Sequence, residues 1–154
     1  MMINARLDKA GTSTWKGMWK DRRVLVPADG WYEWIAEEGA KQPYFITPID
    51  GLPLYFAALT SVHEGREPYP GDGFVIVTDA SEAGMLDVHD RRPLVLDPKS
   101  AAAWLDPHTT YEEATHLANN SGAPVEAFQW FRVSKDVNKV GNNAPILTEP
   151  IGTA

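Results

Sequence analysis

The chain contains no cysteine. Disulfides, thiolate metal sites and cysteine nucleophiles are therefore excluded within it. It also lacks any apolar run approaching the ~18–20 residues of a membrane span. Its opening residues, MMINARLDKA, carry charges where a secretory leader would carry an apolar stretch. With no mark of export, a cytoplasmic location and no membrane partner are expected. Positive charge is scarce: 14 Lys and Arg face 21 Asp and Glu, a net charge of −7. That balance weighs against nucleic acid as a general partner. Familiar catalytic motifs are missing as well, namely G-x-x-x-x-G-K-[ST], H-E-x-x-H and G-x-S-x-G. His63, His108 and His116 show no metal-ligand spacing. No metal and no cofactor are expected.

What remains is a globular composition, 44% hydrophobic and 23% charged over 154 residues, which fits a single domain over 1–154. The charge is uneven. Residues 1–23 hold six basic residues and two acids, whereas the remainder holds eight basic and nineteen acidic ones. A basic end on an acidic body fits a local phosphate-binding face, and it equally fits an ordinary solvated helix.

Residues 10–20 read as a short helix, with Trp15, Met18 and Trp19 on one stripe. Short apolar runs follow and read as strands: VLVP (24–27), WYEW (31–34), PYFIT (43–47), LPLYFAAL (52–59), FVIVT (74–78), RPLVL (92–96) and a late EAFQWFRVS (126–134). Asp29-Gly30 and Asp50-Gly51 each lie between two such runs and predict hairpin turns. SEAGMLDVH (81–89) predicts a short helix. Asp97 with Pro98 marks a helix start, and Thr110 to Glu113 has the form of a capping box before a helix to about Asn119. The Asn-, Gly- and Pro-rich tail predicts little regular structure. Strands outnumber helices without regular interleaving, so the expected class is α+β with a mainly antiparallel, curled sheet.

Three stretches offer chemistry. In WYEW, strand alternation puts Trp31 and Glu33 on one face and Tyr32 and Trp34 on the other. A glutamate beside a tryptophan on a half-buried face is expected to hold its proton more tightly, which suits a general acid or base. An edge-strand glutamate facing solvent is the alternative. In VHDRRPLVL, His89 suits a proton shuttle, and Arg91 with Arg92 suits a bidentate phosphate grip. A charged loop with Asp90 paired to a neighbouring arginine fits equally well. In INAR, Asn4 and Arg6 share one face of a short strand. Asn142 and Asn143 fit turn positions.

In their order and spacing, INAR, the short Trp-containing helix, RVLVPADGWYEW, KQPYFI, FVIVTDA, VHDRRPLVL and the late VS..V..V..N resemble the SOS response-associated peptidase (SRAP) family of abasic-site processing proteins. The resemblance covers nearly the whole chain and implies an SRAP-like pseudo-barrel of antiparallel strands. It also implies a sensor of abasic sites in single-stranded DNA. In that family a cysteine freed by removal of the initiator methionine condenses with the ring-opened sugar, forming a thiazolidine DNA–protein crosslink, and the same end is self-processed. The resemblance matches Asn4, Glu33 and His89 to the family's catalytic residues, and Arg6, Thr78 and Arg91 to its DNA-binding ones. It departs in one place. The family begins Met-Cys-Gly-Arg, well before the asparagine, and these residues include no such segment. A truncated product, a misassigned start, a clipped fragment or one half of a partnered pair would each account for that. The expected function is accordingly abasic-DNA processing without crosslinking by this chain alone, and the alternative is a non-catalytic single-stranded-DNA-binding remnant.

Overall fold

The computed structural model describes residues 3–80 and 91–152. In chain order the elements are β1 (Asn4–Arg6), α1 (Lys16–Asp21), β2 (Arg23–Ala28), β3 (Trp31–Glu37), β4 (Ala40–Pro48), β5 (Leu54–Thr60) and β6 (Phe74–Ala80). They continue with β7 (Arg91–Pro93), β8 (Val95–Leu96), α2 (Pro98–Leu105), α3 (Tyr111–Asn120) and β9 (Phe128–Arg132). The described residues group into two units, one of 3–28, 54–80 and 91–123, the other of 29–53 and 124–152. Each unit holds one sheet, β1-β6-β5-β2 with β7 and β8 in the first and β3-β4-β9 in the second. The α+β class with mainly antiparallel pairing is as expected. The single curled sheet is not, because the described strands form two separate sheets.

The first sheet is organised around a fork. β5 and β6 pair antiparallel only from Ala58↔Ile76 to Thr60↔Phe74. Beyond that they part, and the segment 91–96 enters between them, as β7 against β6 and β8 against β5. Leu94 stands where the fork opens. Its N–H donates to the Val77 carbonyl and its own carbonyl accepts from Ala57 N–H, both at 2.9 Å. The run predicted as one strand over 92–96 is thus two short strands serving different neighbours. β1 closes the other edge of β6 in parallel, with Ala5 opposite Val77.

Core packing follows strand alternation. Ala5, Val77, Leu94, Ala57 and Leu59 lie in one buried cluster with Trp19, Trp104, Ala114 and Ala118. The two tryptophans meet edge to face, 5.0 Å between centroids. α2 and α3 begin where cap chemistry predicts: Asp97 accepts from Lys99 and Ser100 N–H, and Thr110 with Glu113 forms the reciprocal box. The helix predicted over 10–20 is helical only from Lys16. Gly11, Thr12, Ser13 and Thr14, all poor helix formers, hold the preceding stretch in turns. The helix predicted over 81–89 lies outside the described residues.

Arg23 ties the helices to the sheet. The residue is 9% exposed, and its guanidinium donates to five backbone carbonyls, those of Trp19, Lys20, Trp104, Asp106 and Thr109, at 2.7–2.9 Å. These carbonyls belong to the C-terminal turns of α1 and α2 and to the loop after α2, where backbone acceptors have no intrahelical donor. A cation there also meets the negative ends of both helices.

The second sheet corrects the hairpin expectation. Neither Asp29-Gly30 nor Asp50-Gly51 joins paired strands, since β2 pairs with β5 and β3 with β4. The hairpin turn is Glu38-Gly39, with φ of 49° and 81°, both residues left-handed as a two-residue turn between right-twisted strands requires. Gly30 is needed for another reason: a Cβ there would lie 2.2 Å from the Ile46 carbonyl oxygen. In the central strand, Pro43 faces Val133. Val133 N–H donates to the Pro43 carbonyl at 3.1 Å, but proline has no N–H to return. The buried Gln42 amide supplies it, Nε2 donating at 2.9 Å to the carbonyls of both Val133 and Pro43.

Two outcomes are expected in urea unfolding. Arg23→Ala strands several buried carbonyls and lowers stability by about 3 kcal/mol or more, with Arg23→Lys recovering only part. Gln42→Leu, similar in size but without a donor, costs about 1–3 kcal/mol. A loss below a few tenths of a kcal/mol for either Arg23→Ala or Gln42→Leu would contradict its assigned role.

Candidate functional site

Register places four of the expected site residues on one face of the first sheet. Arg6 is level with Thr78, Thr78 with Pro93, and Ala80 with Arg91. Residues paired across strands share a face, and alternate residues along a strand share it too. Asn4, Arg6, Thr78 and Arg91 therefore lie together on the side of β6 opposite the Ala5, Val77 and Leu94 core. That side is not bare. Thr78 is 7% exposed, and Phe56 and Ala58, which alternate onto the same side of β5, are 4% and 0% exposed. These residues are buried, while Asn4 and Arg6 at the edge remain exposed.

The charge on this face is organised by a residue that sequence reasoning did not single out. Asp8 follows β1 in a short 3-10 turn, Leu7–Lys9, anchored by the buried Leu7. Its carboxylate receives Arg6 fork to fork, Nε to Oδ1 at 2.9 Å and NH2 to Oδ2 at 2.6 Å. Arg91, on the opposite edge of β6, reaches the same Oδ1 with its NH2 at 3.4 Å. One carboxylate thus serves two guanidiniums from strands flanking β6. Arg6 beside it, helped by Arg91 and Lys9, holds the Asp8 carboxyl down to about 2. The Arg91 Nε is a buried donor with no hydrogen-bond partner among the described residues.

Glu33 stands in the second unit. It lies level with Tyr44 on β4 and shares a face with Trp31, as alternation predicts, while Tyr32 turns the other way to contact Phe45 and Trp34. Glu33 is half-buried. On the same face the Glu37 carboxylate pairs with Arg132 and accepts from Tyr44 Oη at 2.6 Å. His89 lies outside the described residues, as does Asp90. Among the described residues no group of three or more His, Cys, Asp or Glu could hold a metal ion, and no helix is long and apolar enough to cross a membrane. Asn142 is a turn residue, its side chain donating to the Asp136 carbonyl at 2.8 Å.

Two open hollows mark the first unit, one of about 440 Å³ beside Lys16, Lys20, His108 and Tyr111, the other of about 420 Å³ beside Ile3, Trp15, Met18 and Phe74. Neither is lined by Asn4, Arg6, Thr78 or Arg91. The β6 face is preferred on convergent charge, since neither hollow gathers two guanidiniums on one anion.

Comparison with known proteins bears on what this face is for. Residues 1–140 match the model of the SOS response associated peptidase (SRAP) family. The abasic site processing protein YedK of Escherichia coli is 40% identical over 153 residues, covering 97% of this chain and 68% of that protein. An abasic site processing protein of Saccharomyces cerevisiae is 29% identical, covering 97% of this chain and 41% of that protein. Among solved structures, a phage-related protein of Bordetella bronchiseptica superposes with a TM-score of 0.75 at 43% identity over 87% of this chain and 64% of that one. A Bacteroides thetaiotaomicron protein shares the fold, with a TM-score of 0.81 at 22% identity over 96% of this chain and 65% of that one. The chain thus spans about two thirds of the length of its bacterial relatives.

The ion triad makes a prediction for NMR. The Asp8 carboxyl titrates near 2, and in Arg6→Ala its midpoint returns toward the ordinary 3.8. The sign follows from the lowered value: the triad's contribution is complete above the unfolded midpoint and fades as pH falls through the folded one. A wild-type midpoint near 3.8 would show that the triad does not form in solution.

Proposed function

The chain belongs to the SOS response-associated peptidase (SRAP) family, and we propose that it acts on single-stranded DNA carrying abasic sites. The observation that carries this reading is the pair of guanidiniums on the β6 face. Arg6 and Arg91 converge on one anion from opposite sides of a strand, in a chain whose overall charge is −7. Two arginines presented together suit the phosphates that flank a damaged nucleotide, and local convergence matters more than net charge. YedK and the yeast relative are both named as abasic site processing proteins.

In this reading Arg6 and Arg91 hold the backbone and Thr78 contributes a hydroxyl to the same face. Asn4, on the strand face beside Arg6, orients the sugar. Glu33, half-buried beside Trp31, and His89 move protons as the deoxyribose opens to its aldehyde and as any adduct is reversed.

Covalent capture has a stoichiometric requirement. A thiazolidine forms when one amine and one thiol add to the aldehyde carbon and its oxygen leaves as water. None of the 154 residues supplies a thiol. These residues therefore bind and orient the abasic site, and the crosslink requires a 1,2-aminothiol from outside them. The second reading, non-covalent single-stranded-DNA binding without catalysis, is favoured by that same composition.

The 154-residue protein incubated with a single-stranded oligonucleotide bearing one abasic site is expected to give salt-sensitive binding and no adduct surviving denaturing electrophoresis. Arg6→Ala and Arg91→Ala each weaken that binding. Extending the chain at its front with a segment that begins Met-Cys-Gly-Arg, as the family resemblance implies, restores an adduct, and Glu33→Gln or His89→Ala then slows its formation or reversal by about tenfold or more. A denaturation-stable adduct from the unextended chain would overturn the thiol requirement. Unchanged kinetics in both Glu33→Gln and His89→Ala would leave only the binding reading.

A further inference from the structure

We propose that Asp8 is a tethered stand-in for a DNA phosphate, occupying the Arg6 and Arg91 guanidiniums until a phosphodiester displaces it. The proposal rests on the reading of Arg6 and Arg91 as phosphate contacts and adds a residue that sets how strongly they act.

The geometry is that of an occupied anion site. A carboxylate and a phosphodiester each present two oxygens sharing one negative charge, and a guanidinium fork accepts either in the same planar, two-bond fashion. Asp8 offers both oxygens to Arg6 at 2.9 and 2.6 Å, and its Oδ1 is shared with Arg91 at 3.4 Å. The second contact is the longer one. The Arg91 Nε, a buried donor, has no hydrogen-bond partner among the described residues. A phosphate oxygen entering between the two arginines would improve the contact that Asp8 makes poorly.

Asp8 is also free to leave. The side chains of Arg6 and Asp8 are each 50% exposed, so a displaced carboxylate passes into water rather than into an apolar interior. Leu7, not Asp8, anchors the turn in the core. Its midpoint near 2 keeps Asp8 ionised at every ordinary pH, so the occupant yields to a competing anion and not to protonation.

The consequence is selectivity. Any phosphate must compete with an anion two residues from Arg6 along the chain. Intact single strands offer phosphates alone and bind weakly. A strand that gains a further contact at its lesion overcomes the competition.

The test compares wild type, Asp8→Asn, Asp8→Ser, Asp8→Glu, Arg6→Ala and Arg91→Ala as the full 154-residue protein. Binding of a short fluorescein-labelled oligothymidylate is followed by anisotropy between about 50 and 200 mM salt, with thermal melting as the check on folding. Asp8→Asn and Asp8→Ser are expected to bind about two- to fivefold more tightly. Their plot of log affinity against log salt steepens by about 0.7, the contribution of one more neutralised phosphate. Asp8→Glu stays near wild type. A merely structural Asp8 would alter melting without steepening the slope. If Asp8→Asn and Asp8→Ser bind equally or more weakly while Arg6→Ala and Arg91→Ala weaken binding, the stand-in is overturned and the DNA reading survives. If neither arginine variant changes binding, the DNA reading fails and the stand-in fails with it.

Discussion

The first unit depends on how the fork between β5 and β6 is filled. Two strands that part leave a widening row of unpaired donors and acceptors, which a folded interior tolerates poorly. Leu94 bonds to both sides at the point of parting, and the strands on either side of it carry the pairing outward along each branch. This placement brings Arg91 to one edge of β6 while β1 brings Arg6 to the other. Were the segment 91–96 a single regular strand against β5 alone, Arg91 would have no reason to face Arg6. The meeting of Arg6 and Arg91 at Asp8 is thus a by-product of solving a backbone hydrogen-bonding problem.

Local chemistry was legible in the sequence, and choices of partner were not. The caps at Asp97 and Thr110 depend on side chains within three residues, so they could be read directly. The alternation of Trp31, Tyr32, Glu33 and Trp34 needed only the two-residue period of a strand. Asp29-Gly30 and Asp50-Gly51 do lie between strands, but turn chemistry does not say which strand comes next in a sheet, and both connect strands of different sheets. The true hairpin turn, Glu38-Gly39, was overlooked because glutamate is an uncommon left-handed residue. Asp8 gave no signal because its second partner is 83 residues away. Gln42 gave none because its task exists only once Pro43 faces β9.

Arg23 and Gln42 solve the same kind of problem with different tools. Each is a buried polar side chain whose donors are spent on backbone carbonyls left without a mate. Helix ends create the need in one case and a proline in the other. Neither residue has donors left over for chemistry.

The parallel pairing of β1 also sets when the Arg6, Asp8 and Arg91 cluster can form. Asn4 meets Ile76, so the first residues of the strand wait for a partner far along the chain. Such long-range closure is slow and costs chain entropy before it gains contacts. A three-residue edge strand is also among the first parts of a sheet to open. Arg6 and Asp8 remain neighbours in an unfinished chain, but Arg91 joins them only after β6 and β7 are in place. The full cluster therefore reports a completed sheet. A chain that frays at its first strand disarms itself while the rest of its core is still folded.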